Sequence, residues 1–355
     1  MDNLTHSLVG ALLGQMGLTH KTGLAMPTLI IAANIPDIDA VTVLLGGQQH
    51  LALRRGITHG PIAMVLLPLL LWGAMLWFDA WQTRRGKRPE KRLPVHRGWL
   101  LALAFIGCLS HPLFDWFNSY GVRLLEPFSS RWFYGDTLFI IDPWIWAALG
   151  AGLWLSIRRE RVGRIGWTRP AVGAGIFLAG YLALNIGISS YFVSKLASEQ
   201  YLDKPKNIIA NPVPVTFWKR EMLWQSTVGY LSPQILRTEY SLIQDKKFSE
   251  IDELPEESTD PAIIAASAVM DQAIIKLQPK LRKRSPDLDA FLFWSRMPIA
   301  RYETSDRSCQ NGCGTFAVFR DARFSNPLVA DRFMVKAKLI ENEGYLRHWF
   351  IGNKK

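Results

Sequence analysis

The chain has only three cysteines in 355 residues, no lysine or arginine before Lys21, and no lysine or arginine inside its long apolar runs. The cysteine scarcity excludes a cysteine-rich zinc module. Cys108 sits within an apolar run and reads as a small core residue. Cys309 and Cys313 flank the turn-like QNG, with no second Cys/His pair to complete a zinc knuckle, so a small disulfide loop in an oxidising compartment is expected of them. The absence of a basic region ahead of the first apolar run, and of a small-residue cleavage site after it, argues against a cleaved signal peptide. The absence of lysine and arginine from the apolar runs leaves any carboxylate there without a cationic partner on its own segment.

What the chain has in quantity is apolar sequence: 49% hydrophobic residues, with 14 Trp and 18 Phe, concentrated before about residue 195. The runs LTHSLVGALLGQMGL, TGLAMPTLIIAANIPDIDAVTVLLGG, ITHGPIAMVLLPLLLWGAMLWF, GWLLALAFIGCLSHPLFDWF, LFIIDPWIWAALGAGLWLSI and AVGAGIFLAGYLALNIGISSYFV suggest about six membrane segments. The last four are long enough to cross ~30 Å of hydrocarbon at ~1.5 Å per residue. The net charge of +11 does not indicate nucleic-acid binding, because the basic residues gather in two short connections, 79–97 and 158–169. By the positive-inside rule both connections are cytoplasmic. Residues 119–136, the turn from Gly47 to Gly56 and everything after about 195 then fall on the outer side.

Beyond 195 the texture is that of a soluble domain. Short segments rich in aromatic and β-branched residues alternate with polar turns, and 260–281 has helical periodicity. The expected fold is therefore an all-α membrane bundle, residues 1–195, followed by a soluble α+β extracytoplasmic domain, residues 196–355.

On this topology His6, Asp37, Asp39, His59, His111 and Asp115 converge on one membrane level. His111 and Asp115 are spaced i, i+4 and share a helix face. Asp37 and Asp39 are two apart, which a regular α-helix would turn to different faces, but Pro36 interrupts the helix between them and the preceding run. Buried carboxylates without cationic partners are neutralised by a proton or a metal. Mixed imidazole and carboxylate donors suit a divalent metal, zinc first, with manganese, iron or magnesium as alternatives. One or two ions could be held. Arg54 and Arg55 lie beside His59, and Arg123 and Arg131 lie in the outer connection; any of them could bind an anionic substrate, since guanidinium pairs with phosphate in a bidentate way. Arg55 is the first candidate among them for a catalytic role and Asp39 the candidate general base. Asp136 and Asp142 could support the metal from behind or serve as structural caps.

The blocks MDNLTHSLVGALLG, NIPDID, RRGITHG and LSHPLFDWFNSYGVRLLEPFS resemble the YdjM-like family of bacterial inner-membrane proteins, over residues 1 to about 150. Families of this type are described as membrane-bound, metal-dependent hydrolases. The resemblance implies metal ligands at His6, Asp37, Asp39, His59, His111 and Asp115. This chain departs from many members at Arg54, where they carry His, and at Gly60, where they carry Ser, which bears on substrate preference. A membrane-bound hydrolase acting on a lipid or lipid-linked phosphoester is the expected function, with no nucleic-acid partner. The alternative is an ion- or proton-coupled transporter using the same cluster, which would be expected to show an internal repeat and a midplane site. No repeat is visible.

Overall fold

The structure, a computed structural model, describes residues 1–199, 204–226, 234–243, 249–250, 276–304, 315–324 and 330–339. Cys309, Cys313 and most of the expected helix over 260–281 lie outside these residues; 276–284 is helical.

The first helix, α1 (Asn3–Gln15), opens on Asp2, whose carboxylate caps the backbone N–H groups of Leu4 and Thr5. Helix α1 runs through the middle of the bundle, packed against α2 (Ala25–Ala32), α5 (Arg97–Trp116), α6 (Pro143–Arg161) and α7 (Arg169–Ser198). Two glycines let α2 approach its neighbours closely. A Cβ at Gly10 would lie 2.7 Å from the Leu29 carbonyl oxygen, and one at Gly107 would lie 2.6 Å from the Ala32 methyl. Helix α2 is thus clasped between α1 and α5, with Leu29 and Ala32 buried. After α2 the chain bends by 43° and winds as a 3₁₀ helix from Ile35 to Leu45. A short helix α3 (Gln49–Leu53) and a 3₁₀ turn (Ile57–His59) lead into α4 (Pro61–Arg84).

Six membrane segments are expected from the sequence. Among the described residues, three helices are long and apolar enough to cross a membrane: α4, α5 and α7. The bent pair of α2 and the 3₁₀ helix makes a fourth if it counts as one span. Helix α1, at 13 residues, is only ~20 Å long and falls short of the hydrocarbon core. Helix α6 has 19 residues, but Arg158, Arg159, Glu160 and Arg161 occupy its end and shorten the apolar part. Helix α4 buries Met64, Pro68, Leu71 and Met75 and leaves Ile62, Val65, Leu66, Leu69 and Leu70 exposed, as a helix facing lipid does.

The C-terminal region holds two antiparallel sheets. Strands β1 (Lys206–Pro212), β2 (Lys219–Ser226), β3 (Gln234–Ser241) and β4 (Ser249–Glu250) pair in chain order. Strands β5 (Pro298–Thr304), β6 (Thr315–Asp321) and β7 (Met334–Leu339) form the second sheet. Helix α8 (Pro286–Trp294), capped by Ser285 on the Leu288 N–H, packs on α3 and β7. Its Phe291 and Trp294 share one core with Phe319 and Val335 and with two residues of the helical region, Leu51 and Tyr120.

The two regions are also joined by polar contacts. Arg220 of β2 is fully buried and donates to Ser189 Oγ, Asn185 Oδ1 and the Thr137 carbonyl at 2.9, 2.9 and 3.2 Å. Arg296 pairs with Asp136 at 2.7 Å, and the Gln48 N–H donates to Asp287 at 3.0 Å. Asp136 therefore belongs to this joint. Asp142 caps α6, accepting from the Trp144 and Ile145 N–H groups and, at 3.0 Å, from the Tyr181 hydroxyl. Of the two roles open to it from sequence, Asp142 takes the structural one.

Candidate metal centre

The end of the helical region nearest the sheets gathers His6 from α1, Asp37 and Asp39 from the 3₁₀ helix, His59 from the turn before α4, and His111 and Asp115 from the last two turns of α5. All six are buried. Asp115 is the hub. Its Oδ1 lies 3.3 Å from His6 Nε2, and its Oδ2 lies 3.3 Å from His59 Nε2 and 3.5 Å from His111 Nε2. His111 Nε2 is 3.8 Å from Asp37 Oδ1. The His6 and His111 rings stack with centroids 3.8 Å apart.

The 3₁₀ helix explains how two aspartates at i, i+2 both face this hub. With ~3.0 residues per turn, successive side chains are ~120° apart, so Asp37 and Asp39 flank one direction and Ile38 points opposite to it. In an α-helix the two carboxylates would stand ~160° apart.

Hydrogen bonds fix the ring tautomers. His111 Nδ1 lies 2.6 Å from the Ala33 carbonyl, which only accepts, so Nδ1 carries the proton and Nε2 presents a lone pair. Thr58 Oγ1 donates to Asp39 Oδ2 at 3.0 Å and, its one proton spent, accepts from His59 Nδ1 at 2.9 Å. His59 Nε2 therefore also presents a lone pair. Neither Nε2 has a hydrogen-bond partner, and Asp115 Oδ2 between them is met by the Arg55 Nε in an ion pair at 3.0 Å.

Arg55 answers the carboxylate charge, but the two imidazole lone pairs still face that oxygen and gain a partner only if a cation sits among the three atoms. Asp37, His59, His111 and Asp115 each offer an atom within 4.8 Å of the others, a group that could hold a metal ion. Ligands ~2.1 Å from a tetrahedral ion stand ~3.4 Å apart, close to the spacing of the His59, His111 and Asp115 atoms. The donor set of two imidazoles and two carboxylates fits a divalent transition metal. His6 flanks these four, with neither ring nitrogen hydrogen-bonded.

The arginines expected near a substrate divide into two kinds. Arg55 is buried. Its Nε pairs with Asp115 at 3.0 Å, its NH1 donates to Asn118 Oδ1 at 3.0 Å, and its guanidinium lies 4.6 Å from the Tyr120 ring centroid. The Met1 amine also lies against Asp115. Arg55 thus engages the hub oxygen that also faces the two imidazoles, and has few donors left for a substrate. Arg123 is buried as well, its NH2 donating to the Ala52 carbonyl at 2.6 Å and its NH1 pairing with Glu126 at 3.3 Å. Arg131 is exposed and lies over Phe133, with no contact to the cluster. Arg54 alone keeps an open side, its side chain 26% exposed, while pairing with Asp37 at 2.9 Å and standing 3.6 Å from Asp39.

Asp39 accepts from the Arg55 N–H at 2.6 Å as well as from Thr58, both on Oδ2, and its Oδ1 has no hydrogen-bond partner. Thr58 and Asn118 were not singled out from sequence. Thr58 stands directly before a candidate ligand and Asn118 three residues after one, but their partners are set by tertiary packing.

Comparison with known proteins finds relatives of the chain, with the family match lying over the helical region. The protein YfhP of Bacillus subtilis (strain 168), described as uncharacterized, is 24% identical over 222 residues, covering 60% of this chain and 62% of that protein. The match thus spans less than two thirds of the relative's length. No solved structure matches the chain significantly. The family model described as YdjM inner membrane protein matches residues 1–192, more than half of the chain and every residue of the cluster. The chain belongs to the YdjM inner membrane protein family.

Proposed function

We propose that this protein is an integral-membrane, metal-dependent hydrolase with an outward-facing site, acting on a phosphoester of a lipid or lipid-linked anion. The observation that carries this reading is the pair of unpartnered imidazole nitrogens, His59 Nε2 and His111 Nε2, turned on Asp115 Oδ2 at 3.3 and 3.5 Å. Asp37, His59, His111 and Asp115 would hold the ion, zinc by preference of the donor set, with His6 beside them for a second ion or a fifth ligand. A bound divalent ion supplies Lewis-acid polarisation of a phosphoryl oxygen and acidifies water.

The chain's own groups do the rest. Arg54, open on one side, orients the phosphate through a guanidinium fork. Asp39 Oδ1 takes the proton from the attacking water, while Oδ2 stays tied to Thr58 and the Arg55 N–H. Arg55 holds Asp115 in place through the 3.0 Å contact. The cluster lies at helix ends, in the last turns of α5 and ahead of α4. That supports an enzyme over a carrier, whose site belongs near the bilayer midplane.

The test is metal content by mass spectrometry on detergent-purified protein, wild type beside the His111→Ala/Asp115→Ala double variant. Stoichiometric metal, lost in the variant, is expected, together with phosphate release from vesicles containing a lipid phosphate ester. No metal after reconstitution with zinc, manganese or magnesium would overturn the reading and favour the carrier.

A further inference from the structure

The 3₁₀ helix that carries Asp37 and Asp39 has a second face. Residues three apart eclipse in this geometry, so Ile38, Val41 and Leu44 form a single ridge. They are 60%, 61% and 85% exposed, whereas Asp37 and Asp39 are 6% and 7% exposed. The ridge stands opposite the direction that the two aspartates flank. An eleven-residue 3₁₀ helix is itself unusual, since runs beyond ~3–4 residues are uncommon. This winding sets the two aspartates on one side of the segment and the Ile38–Val41–Leu44 ridge on the other. Between Ile35 and Gly47 there is no lysine or arginine, and the only charged residues are the two buried aspartates.

Three observations say what covers the ridge. Its segment packs on the Ile57–His59 turn and on α4, the lipid-facing helix, and these neighbours expose the apolar Ile57 and Ile62 in their turn. The far end of the segment meets the C-terminal region, where the Gln48 N–H donates to Asp287. The ridge therefore lies where membrane helix gives way to the sheets. Exposed apolar side chains without an interspersed charge are a liability in water and ordinary in lipid.

We infer that the Ile38–Val41–Leu44 ridge is a lip seated in the bilayer, contacting the acyl and glycerol portions of membrane lipid. A lipid lying against it has its phosphate at the height of Arg54, the partly open guanidinium at the rim of the cluster. Substrate then enters from the membrane plane and need not leave the bilayer. This inference rests on the hydrolase reading for the fate of the lipid, but the contact itself does not.

The experiment places a nitroxide label at Leu44→Cys, and in a second protein at Val41→Cys, with the native cysteines replaced, in nanodiscs of phosphatidylglycerol and phosphatidylethanolamine. Spin relaxation by oxygen, which partitions into lipid, is compared with relaxation by a water-soluble nickel chelate. The expected result is oxygen dominance at both positions, several-fold over the chelate. Chelate dominance would overturn the inference in favour of an aqueous face. A label shielded from both would overturn it in favour of a protein partner.

Metal content is measured on the same samples, and it keeps the two readings apart. Oxygen dominance without metal sinks the hydrolase and leaves the lip. Chelate dominance with full metal sinks the lip and leaves the hydrolase. As a functional arm, Leu44→Lys should retain its metal and its turnover of a water-soluble phosphoester but lose about tenfold on the lipid ester. Equal loss on both substrates, or none on either, would overturn the inference.

Discussion

Two aspartates in this protein are completely buried against arginine, and they are built in opposite ways. Asp321, at the end of β6, is saturated. Arg323 donates to it from Nε at 2.8 Å, from NH2 at 2.9 Å and from its own N–H at 2.9 Å; Ser295 Oγ adds a bond at 2.6 Å and the Arg296 N–H one at 3.0 Å. Asp115 Oδ2 has the single Arg55 Nε contact at 3.0 Å and otherwise faces two imidazole lone pairs. A carboxylate that serves the fold has its lone pairs filled by the fold. One left short, among other acceptors, is arranged for something the chain does not itself supply. Removal of each carboxyl group should therefore do different things.

The largest effect is expected from Asp115→Asn. The amide keeps the volume but removes the charge and one ligand oxygen, and metal affinity should fall by more than ~100-fold, beyond what loss of a supporting hydrogen bond costs. Chelator competition measures the affinity, and circular dichroism checks that helix content is kept. Unchanged metal binding would mean that the hub is structural and that the comparison with Asp321 is empty.

Asp321→Asn should behave in reverse, with metal stoichiometry kept and stability lost. Breaking one side of a buried pair costs about 3–5 kcal/mol because the other charge stays behind. The pH dependence carries a definite sign. Burial alone would raise the Asp321 carboxyl, but the Arg323 guanidinium and the hydrogen bonds from Arg323 and Ser295 hold it below the usual carboxylate range. A depressed folded pKa gives stability that is complete above the unfolded value of ~3.9 and is lost as pH falls through the folded value. The melting temperatures of wild type and Asp321→Asn should thus differ most near neutrality and converge below about pH 4. A gap independent of pH would show that the pair is not ionic.

Thr58→Val tests how the lone pairs around Asp115 are aimed. Without the hydroxyl, His59 Nδ1 loses its acceptor and Asp39 loses a donor, so the ring is free to take the other tautomer. A ten- to hundredfold drop in metal affinity is expected, as for other partners of metal-bound histidine, with Thr58→Ser restoring it. Equal affinity in all three proteins would mean that packing alone holds the ring.

Much of this site is legible in the sequence, and the remainder fails for identifiable reasons. The i, i+4 spacing places His111 and Asp115 on one face, and the topology brings six ionisable residues to one level. Pro36 signals that NIPDID is irregular, but not that a 3₁₀ winding continues to Leu45, because hydrophobic periodicity over so short a stretch cannot separate the two helices. Arg55 reads as a substrate ligand because a sequence shows a charge and not where it points. In the fold it turns inward to Asp115 and Asn118, and the open guanidinium is its neighbour Arg54. Of the six segments expected, three described helices, or four with the bent pair, are long and apolar enough to span; α1 has 13 residues, and the charged last turn of α6 shortens its apolar part. The joint between the regions, built on Arg220, Arg296 and Arg323, has no local signature, since each arginine reaches partners remote in the chain.

The smallest effect sharpens the comparison most, because the two carboxylates are physically connected. The Arg55 guanidinium lies 4.6 Å from the Tyr120 ring centroid, Tyr120 stands 5.1 Å from Trp294, and the Arg323 guanidinium lies 4.9 Å from the other partner in that stack, Trp294. Arg323 also donates to the Ser119 carbonyl, one residue before Tyr120, at 2.5 Å. A shift of Arg323 should therefore reach Arg55 through two aromatic rings. Each cation–π contact is worth about 0.5–2 kcal/mol, and only a fraction of one would be transmitted, so Asp321→Asn should weaken metal binding merely two- to fivefold. Tyr120→Leu, which removes the ring between Arg55 and Trp294, should cost a similar amount. The decisive protein is the double variant. If the stack carries the coupling, Asp321→Asn has no further effect on metal affinity once Tyr120 is gone, although it still lowers the melting temperature. If the two effects simply multiply, the sites are independent, and the C-terminal region holds the metal centre in place without communicating with it.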